Sequence, residues 1–399
     1  MSRTDRPRPV AVRGLALPAV GRRSFVRGAF AGGLGLAAPG LLGACGIDPA
    51  VQTAQSCKST DSSATDNSLV WSNWPAYIDK GRKTLNDFVA QSGIDVTYNT
   101  DVNDNNEFFA KIQNQLGDCE PIGRDIIVLT DWMASRLVKL GWLQKLDHSN
   151  LPNVDANLTP SLKGPDWDPN RDYSVPWQSG LTGIAYNAKY TGEVKSFTEL
   201  LTRPDLKGKI SLLKEMRDTM GFMLAVVGAD PSKFDDEEWS EAIAKLEEVV
   251  DNGHVRRFTG NDYINDLDKG DLLACEAWSG DVIGMQDSNP DIKWVVPEEG
   301  LALWSDNMLV PNKAEHKANA EELMNYYYDP MVAATLVAWV NYICPVNGAQ
   351  EAMETVDPSI VDAPLIFPDE EILSQTFQFM SLDDSTAKKY DTDFSQAIG

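Results

Sequence analysis

The chain has 399 residues, 43% of them hydrophobic and 24% charged, enough for two globular domains. Its formal net charge is −24, and the first 45 residues carry seven Arg against one Asp, so the remainder is more acidic still. No basic patch is present to neutralise phosphates, which argues against nucleic acid as a partner. No internal segment is long and apolar enough to read as a membrane span.

The first 45 residues read as an export signal rather than as part of the fold. Arg22-Arg23-Ser24-Phe25-Val26-Arg27 resembles a twin-arginine motif, and the weakly apolar run 28–42 after it ends in Leu42-Gly43-Ala44-Cys45. That ending resembles a lipobox, in which Cys45 is lipidated and becomes the mature N-terminus, a membrane anchor. Residues 46–68 are rich in Ser, Thr, Asp and Gln and are expected to form a flexible tether.

From residue 69 the sequence alternates short apolar runs with amphipathic stretches. Leu69-Val70-Trp71 reads as a strand, 81–91 as a helix, 94–98 as a strand and 106–116 as a helix. A buried strand over 124–129 and a helix over 134–140 follow. This order argues for an α/β layered domain with a mainly parallel sheet. A second set follows: strands at 181–186 and 209–213, a helix over 220–228, and a long helix over 236–251 with acids crowded at its start. Further strands are expected at 272–278 and 292–296. LALW and MLVP then read as a strand pair around Ser305-Asp306-Asn307, before helices over 315–328 and 330–339. Four cysteines outside the signal, Cys57, Cys119, Cys275 and Cys344, allow one or two disulfides in an oxidising compartment without fixing the pairing. Their spacing gives no zinc pattern, and His148, His254 and His316 do not cluster, so neither a metal nor another cofactor is expected.

Several strand-like runs end in an aromatic residue beside a polar or acidic one, and in open α/β sheets ligands bind beyond the carboxyl ends of strands. A site of this kind would be lined by Trp74, Tyr77, Trp132, Trp278, Trp304 and Tyr342, with Glu215, Asp218 and Asp306 among them. Aromatic faces attract cations and cover methylene chains, and carboxylates bind ammonium groups through charge-assisted hydrogen bonds. A polyamine uses all three. Aromatics with carboxylates also suit sugars, and a carboxylate pair is what a glycosidase needs. A sugar site would carry more Asn, Gln and Arg. Against hydrolysis, the set holds no histidine, no G-x-S-x-G elbow and no metal ligands, so no enzymatic activity is expected. A polyamine sensor coupled to a signalling partner is a further class, which neighbouring permease or kinase genes would distinguish from transport.

At these residues the chain resembles the spermidine/putrescine-binding proteins, the substrate receptors of bacterial ABC importers. The segments carrying the resemblance are NWPAY, YSVPWQSGLTGIAYN, LKGKISLL, MRDTMG, AWSG, PEEGLALWSDNMLVP and YICPVNGA, in that order. The resemblance implies an α/β, two-lobed periplasmic-binding-protein fold of type II character, with the ligand in the cleft and a membrane permease as partner. The crossovers would fall near Gly180 and Leu301, with lobes at 69–180 plus 301–350 and 181–300 plus 351–399. It also implies roles. Trp74, Tyr77, Trp278, Trp304 and Tyr342 form an aromatic box, with Trp132 where a tyrosine is common. Asp306 holds an amine near the middle of the cleft, and Glu215 and Asp218 hold one toward the second lobe, with Arg217 orienting Asp218. Ala76 stands where the family often has an acid, so one ammonium contact is missing. Asp131 is the expected replacement and Asp79 a weaker one. The late glutamine of the family falls near Gln378 and Phe379, and polyamine length stays open.

Overall fold

The computed structural model describes residues 57–399; the expected signal, Cys45 and the first part of the tether lie outside the described residues. Among the described residues ten strands form one mixed sheet. They are β1 (Ser68–Asn73), β2 (Asp95–Thr100), β3 (Ile126–Thr130), β4 (Ser174–Asn187) and β5 (Ile210–Leu213). Then come β6 (Val255–Thr259), β7 (Ala274–Trp278), β8 (Ile292–Val295), β9 (Leu301–Leu309) and β10 (Thr376–Phe377). The order across the sheet is β2-β1-β3-β9-β4-β7-β5-β6, with β8 beside β4 and β10 beside β9. Strands β1, β2 and β3 run parallel, as do β5, β6 and β7, while β4 and β9 form an antiparallel pair between the two groups. Those two long strands belong to both lobes.

The sequence explains this division. RDIIVL gives β3 four consecutive fully buried residues, the pattern of a strand covered on both faces. β4 is buried along nearly its whole length, and Pro176 is accommodated where its pairing with β9 shifts register. Helices start at chemical caps. Asp104 accepts the Glu107 N–H at 2.6 Å, and Asp235 with Glu238 makes a capping box at the head of the helix Asp236–Asp251. The second lobe closes around stacked rings, Phe197 on Phe222 and Trp239 on Tyr390, each pair 3.8 Å apart. Tyr390 comes from the C-terminal helix Asp384–Ile398.

Several expectations are corrected here. The runs LALW and MLVP are one strand, β9, because Asp306 and Asn307 find polar partners inside the sheet and no turn is needed. The strand expected at 181–186 is the far half of β4. The tether does not extend over 57–67. Ser62 N–H donates to the Glu315 carbonyl at 2.7 Å, and Asp61 and Ser63 accept the N–H groups of Ala318 and Asn319 at the head of the helix Lys317–Tyr327. A Cys57–Cys119 disulfide pins the same segment, while Cys275 and Cys344 are free and buried. The chain does not leave the first lobe at 351. The helix Ala349–Val356 packs on the helix Pro330–Val340, Met353 and Ile366 are buried in the first core, and the chain returns to the second lobe at β10.

Candidate functional site

Strand register assembles the site. Thr130 lies opposite Asp306, Gly180 opposite Trp304, and Thr182 opposite Trp278. These pairs meet where β3, β9, β4 and β7 run side by side, between the lobes. Trp74 follows β1, Trp278 ends β7, and Glu215 and Asp218 follow β5, so the expectation of strand carboxyl ends holds for these four. The tight fit of Trp304 depends on Gly180: a Cβ there would lie 2.3 Å from the indole ring. Gly280 does the same for Tyr342, whose ring would be 2.6 Å from a Cβ at that position.

The resulting pocket holds about 400 Å³ of space unfilled by protein atoms, part of it open to solvent. Trp74, Tyr77, Trp278, Trp304 and Tyr342 form its walls, and Glu215, Asp218 and Asp306 its acidic groups. The rings meet edge to face: Trp74 with Trp278 at 6.1 Å and Tyr77 with Tyr342 at 5.1 Å. None of the lining residues is Lys, Arg or His.

Each acid is positioned by neutral donors. Thr130 Oγ1 donates to Asp306 at 2.8 Å, and the Tyr77 hydroxyl, which has no hydrogen-bond partner of its own, faces the same carboxylate. The Thr182 hydroxyl donates to Asp218 and accepts the indole N–H of Trp304 at 3.0 Å, tying ring and carboxylate together. Glu215 reaches across to the first lobe and accepts the Asn105 backbone N–H at 2.7 Å and the Asn105 side-chain amide at 3.1 Å. It therefore sits at the N-terminus of the helix Asn105–Gly117, where an anion is favoured. Asn105 also donates to Thr130 at 2.8 Å, linking the network of Glu215 to that of Asp306.

Burial without cations raises every one of these acids. Asp306 is pushed up to about 7 and Asp218 to about 6, burial being the main cause and neighbouring carboxylates adding to it. Burial also raises Glu215 well above the carboxylate range, with Asp104 and Asp218 adding to the shift. The pocket gathers three carboxyl groups that burial makes hold their protons more tightly, with no cationic side chain among its lining residues.

A second, wider cavity adjoins the pocket and shares Thr130, Asp218 and Trp304 with it. Trp132 and Asp131 line this outer cavity rather than the inner pocket. The guanidinium of Arg217 stands 3.5 Å from the centre of the Trp132 ring, so that face is already covered by a cation. Arg217 makes no hydrogen bond to Asp218, which Thr182 orients instead. Asp131 accepts its neighbour's N–H from Trp132 at 2.7 Å and lies within electrostatic reach of Asp218, Asp306, Arg217 and Arg171. Asp79 caps Thr84 through its backbone N–H and hydroxyl and lines neither cavity. Ala76 is exposed, with a left-handed backbone at φ 55°. Gln378 and Phe379 line the outer cavity.

Sequence reasoning missed four supporting residues. Asp281 accepts hydroxyl hydrogen bonds from Tyr342 at 3.0 Å and Tyr263 at 2.7 Å, and Tyr263 in turn accepts the Trp278 N–H at 3.0 Å. Thr130, Thr182 and Asn105 were missed as well. Thr130 directly precedes Asp131 and Trp132, and Asp281 directly follows AWSG, which was the available signal; Asn105 carried none.

Residues 83–368 match the family model of bacterial extracellular solute-binding proteins. A spermidine/putrescine-binding periplasmic protein of Haemophilus influenzae is 28% identical over 314 residues, covering 78% of this chain and 84% of its own. The spermidine/putrescine-binding periplasmic protein of Escherichia coli K12 is 27% identical over 310 residues, covering 77% and 85%. A solved Listeria monocytogenes structure, assigned to a spermidine/putrescine ABC transporter, superposes with a TM-score of 0.74 at 27% identity, covering 83% of this chain and 99% of that one. The two-lobed α/β architecture is that of the periplasmic binding proteins. The chain belongs to the family of bacterial extracellular solute-binding proteins.

Proposed function

We propose that this protein is an extracytoplasmic, lipid-anchored receptor that captures a polyamine by closing its two lobes and delivers it to the permease of an ABC importer. The observation that carries this reading is the inner pocket: two buried carboxyl groups and a half-buried third, five aromatic walls and no cationic side chain. A sugar would leave those carboxylates without compensation, whereas an ammonium group supplies the missing charge. The names of the two curated relatives point to the same ligand class.

The chemistry follows from position. One ammonium group donates to Asp306 and lies against the Tyr77 hydroxyl, which is free to accept. The alkyl chain runs along Trp304, each buried methylene contributing about 0.8 kcal/mol. A second ammonium group meets Asp218 and Glu215, and the surrounding rings add about 0.5–2 kcal/mol per cation–π contact. Closure is supported by Glu215, which fastens the second lobe to Asn105 of the first. Binding then shifts an open–closed equilibrium by the ligand's differential affinity for the two states. The anchor at Cys45 rests on the sequence of the N-terminal segment alone.

Calorimetric titration with putrescine, spermidine and spermine tests the proposal. Tight binding of at least one is expected, and the ranking shows how Ala76 affects ligand length. A folded, ligand-free protein that binds none of them overturns the polyamine assignment.

A further inference from the structure

Among the described residues, Arg217 is the one strongly buried cation lining the outer cavity that makes no side-chain hydrogen bond; Arg171, by contrast, donates to the Leu162 carbonyl, the Ser174 hydroxyl and the Asn307 side-chain oxygen. Arg217 is 8% exposed, its Nη1 has no hydrogen-bond partner, and the nearest carboxylate, Asp391, stands 4.0 Å away. Its main contact is the face of Trp132 at 3.5 Å, with Phe379 at 5.8 Å. The two partners come from different lobes. Arg217 lies in the first turn of the helix Met216–Val226 after β5, and Trp132 in the first turn of the helix Asp131–Leu140 after β3.

We propose that Arg217 and Trp132 form a clasp between the lobes that sets the residence time of the ligand without touching it. This rests on the receptor reading above. Both residues line the outer cavity and neither lines the inner pocket, yet Asp218 and Glu215 flank Arg217 in the chain. A ring is a useful partner for a cation that must be released. Cation–π attraction grows when the pair is desolvated and fades when water returns, so the contact favours the closed form and adds little to the open one. Indole gives the strongest such face, and Trp132 supplies it. The clasp has company along the same seam, where Asn106 donates to Asp391 at 3.1 Å and Asn105 to Glu215. Only Glu215 of these groups reaches the pocket. Arg217 and Trp132 are therefore positioning residues.

The test is the dissociation rate of putrescine, measured by stopped flow for Arg217→Gln, Trp132→Leu, the double variant and Trp132→Tyr. Each of the first two is expected to release ligand about tenfold faster with an association rate unchanged within about twofold, from the loss of one desolvated cation–π pair. The double variant should be no faster than either single one, Trp132→Tyr should recover most of the effect, and ligand-free thermal stability should stay the same. Additive effects, or unchanged dissociation, overturn the clasp. If no polyamine binds the unaltered protein, the ligand assignment fails and the clasp is read by pulsed electron spin resonance between labels at Asn114→Cys and Lys195→Cys, one on each lobe. Arg217→Gln should then shift the distances to longer values; identical distributions overturn the proposal.

Discussion

The inner pocket and the outer cavity share three residues and the same sheet, yet they handle charge in opposite ways. In the inner pocket Asp306, Asp218 and Glu215 are held by hydroxyls and amides, and no cation lines the wall. In the outer cavity Arg217 lies on an indole, Arg136 on the ring of Phe109 at 4.0 Å, and Arg171 is bound by carbonyl and side-chain oxygens. Buried charge is costly without compensation. In the outer cavity the protein's own rings and oxygens meet the three arginines, whereas in the inner pocket, on the function proposed above, the ligand supplies the positive charge.

The largest break in that contrast should come from removing the central inner charge. Asp306→Asn keeps an oxygen for Thr130 but loses the anion, and calorimetry should show polyamine affinity falling by about a hundredfold or more, the scale of a buried charge pair deprived of one partner. Acid should do nearly the same without mutation. Because Asp306 and Asp218 hold their protons up to about 7 and about 6, a cationic ligand must displace those protons. Affinity should be about a hundredfold weaker at pH 5.5 than at pH 8, with proton release on binding visible in buffers of different ionisation enthalpy. The same shifts set the sign for stability. Between about pH 4, where these acids titrate in the unfolded chain, and about pH 7, the ligand-free fold binds more protons than the unfolded chain. Its stability should therefore fall as pH rises through that window, and saturating ligand should cancel the fall.

Smaller effects sharpen the picture. Gly180→Ala forces a methyl group against Trp304 and should lower thermal stability by about 1–3 kcal/mol, the cost of overpacking, together with affinity. Asp281→Asn leaves the pocket charge untouched but loosens Tyr342 and Tyr263, and should weaken binding by about tenfold or less, since hydrogen bonds to a charged partner contribute about 1.5–3 kcal/mol. Reduction of Cys57–Cys119 lies far from this contrast. It should lower stability by about 2–4 kcal/mol and leave polyamine affinity unchanged.

Much of this was legible in the sequence because the signals were local. The βαβ alternation shows in hydrophobic periodicity, and Trp74, Trp278, Glu215 and Asp218 of the inner pocket stand at or just after recognisable strand ends. What was hidden depends on partners far away in the chain. β9 read as two strands because a carboxylate inside a strand looks like a break until Thr130, 176 residues away, is seen to hold it. β4 read as short because Pro176, Gly180 and Gly183 resemble breakers, whereas a register shift and the rings of Trp304 and Trp294 explain them. Trp132 looked like a wall of the ligand box because nothing in MRDTMG announces that its arginine will cover that face. The return of the chain at β10 rests on pairing of only two residues, too short to show in any pattern.

The most direct test compares putrescine with 1,4-butanediol, which has nearly the same shape and no charge, in titrations of the unaltered protein and of Asp306→Asn at pH 8. If the inner carboxylates wait for a cation, putrescine binds tightly, the diol binds at least about a thousandfold more weakly, and Asp306→Asn narrows the gap sharply. Comparable affinities for the two compounds, or a gap untouched by Asp306→Asn, would contradict the account.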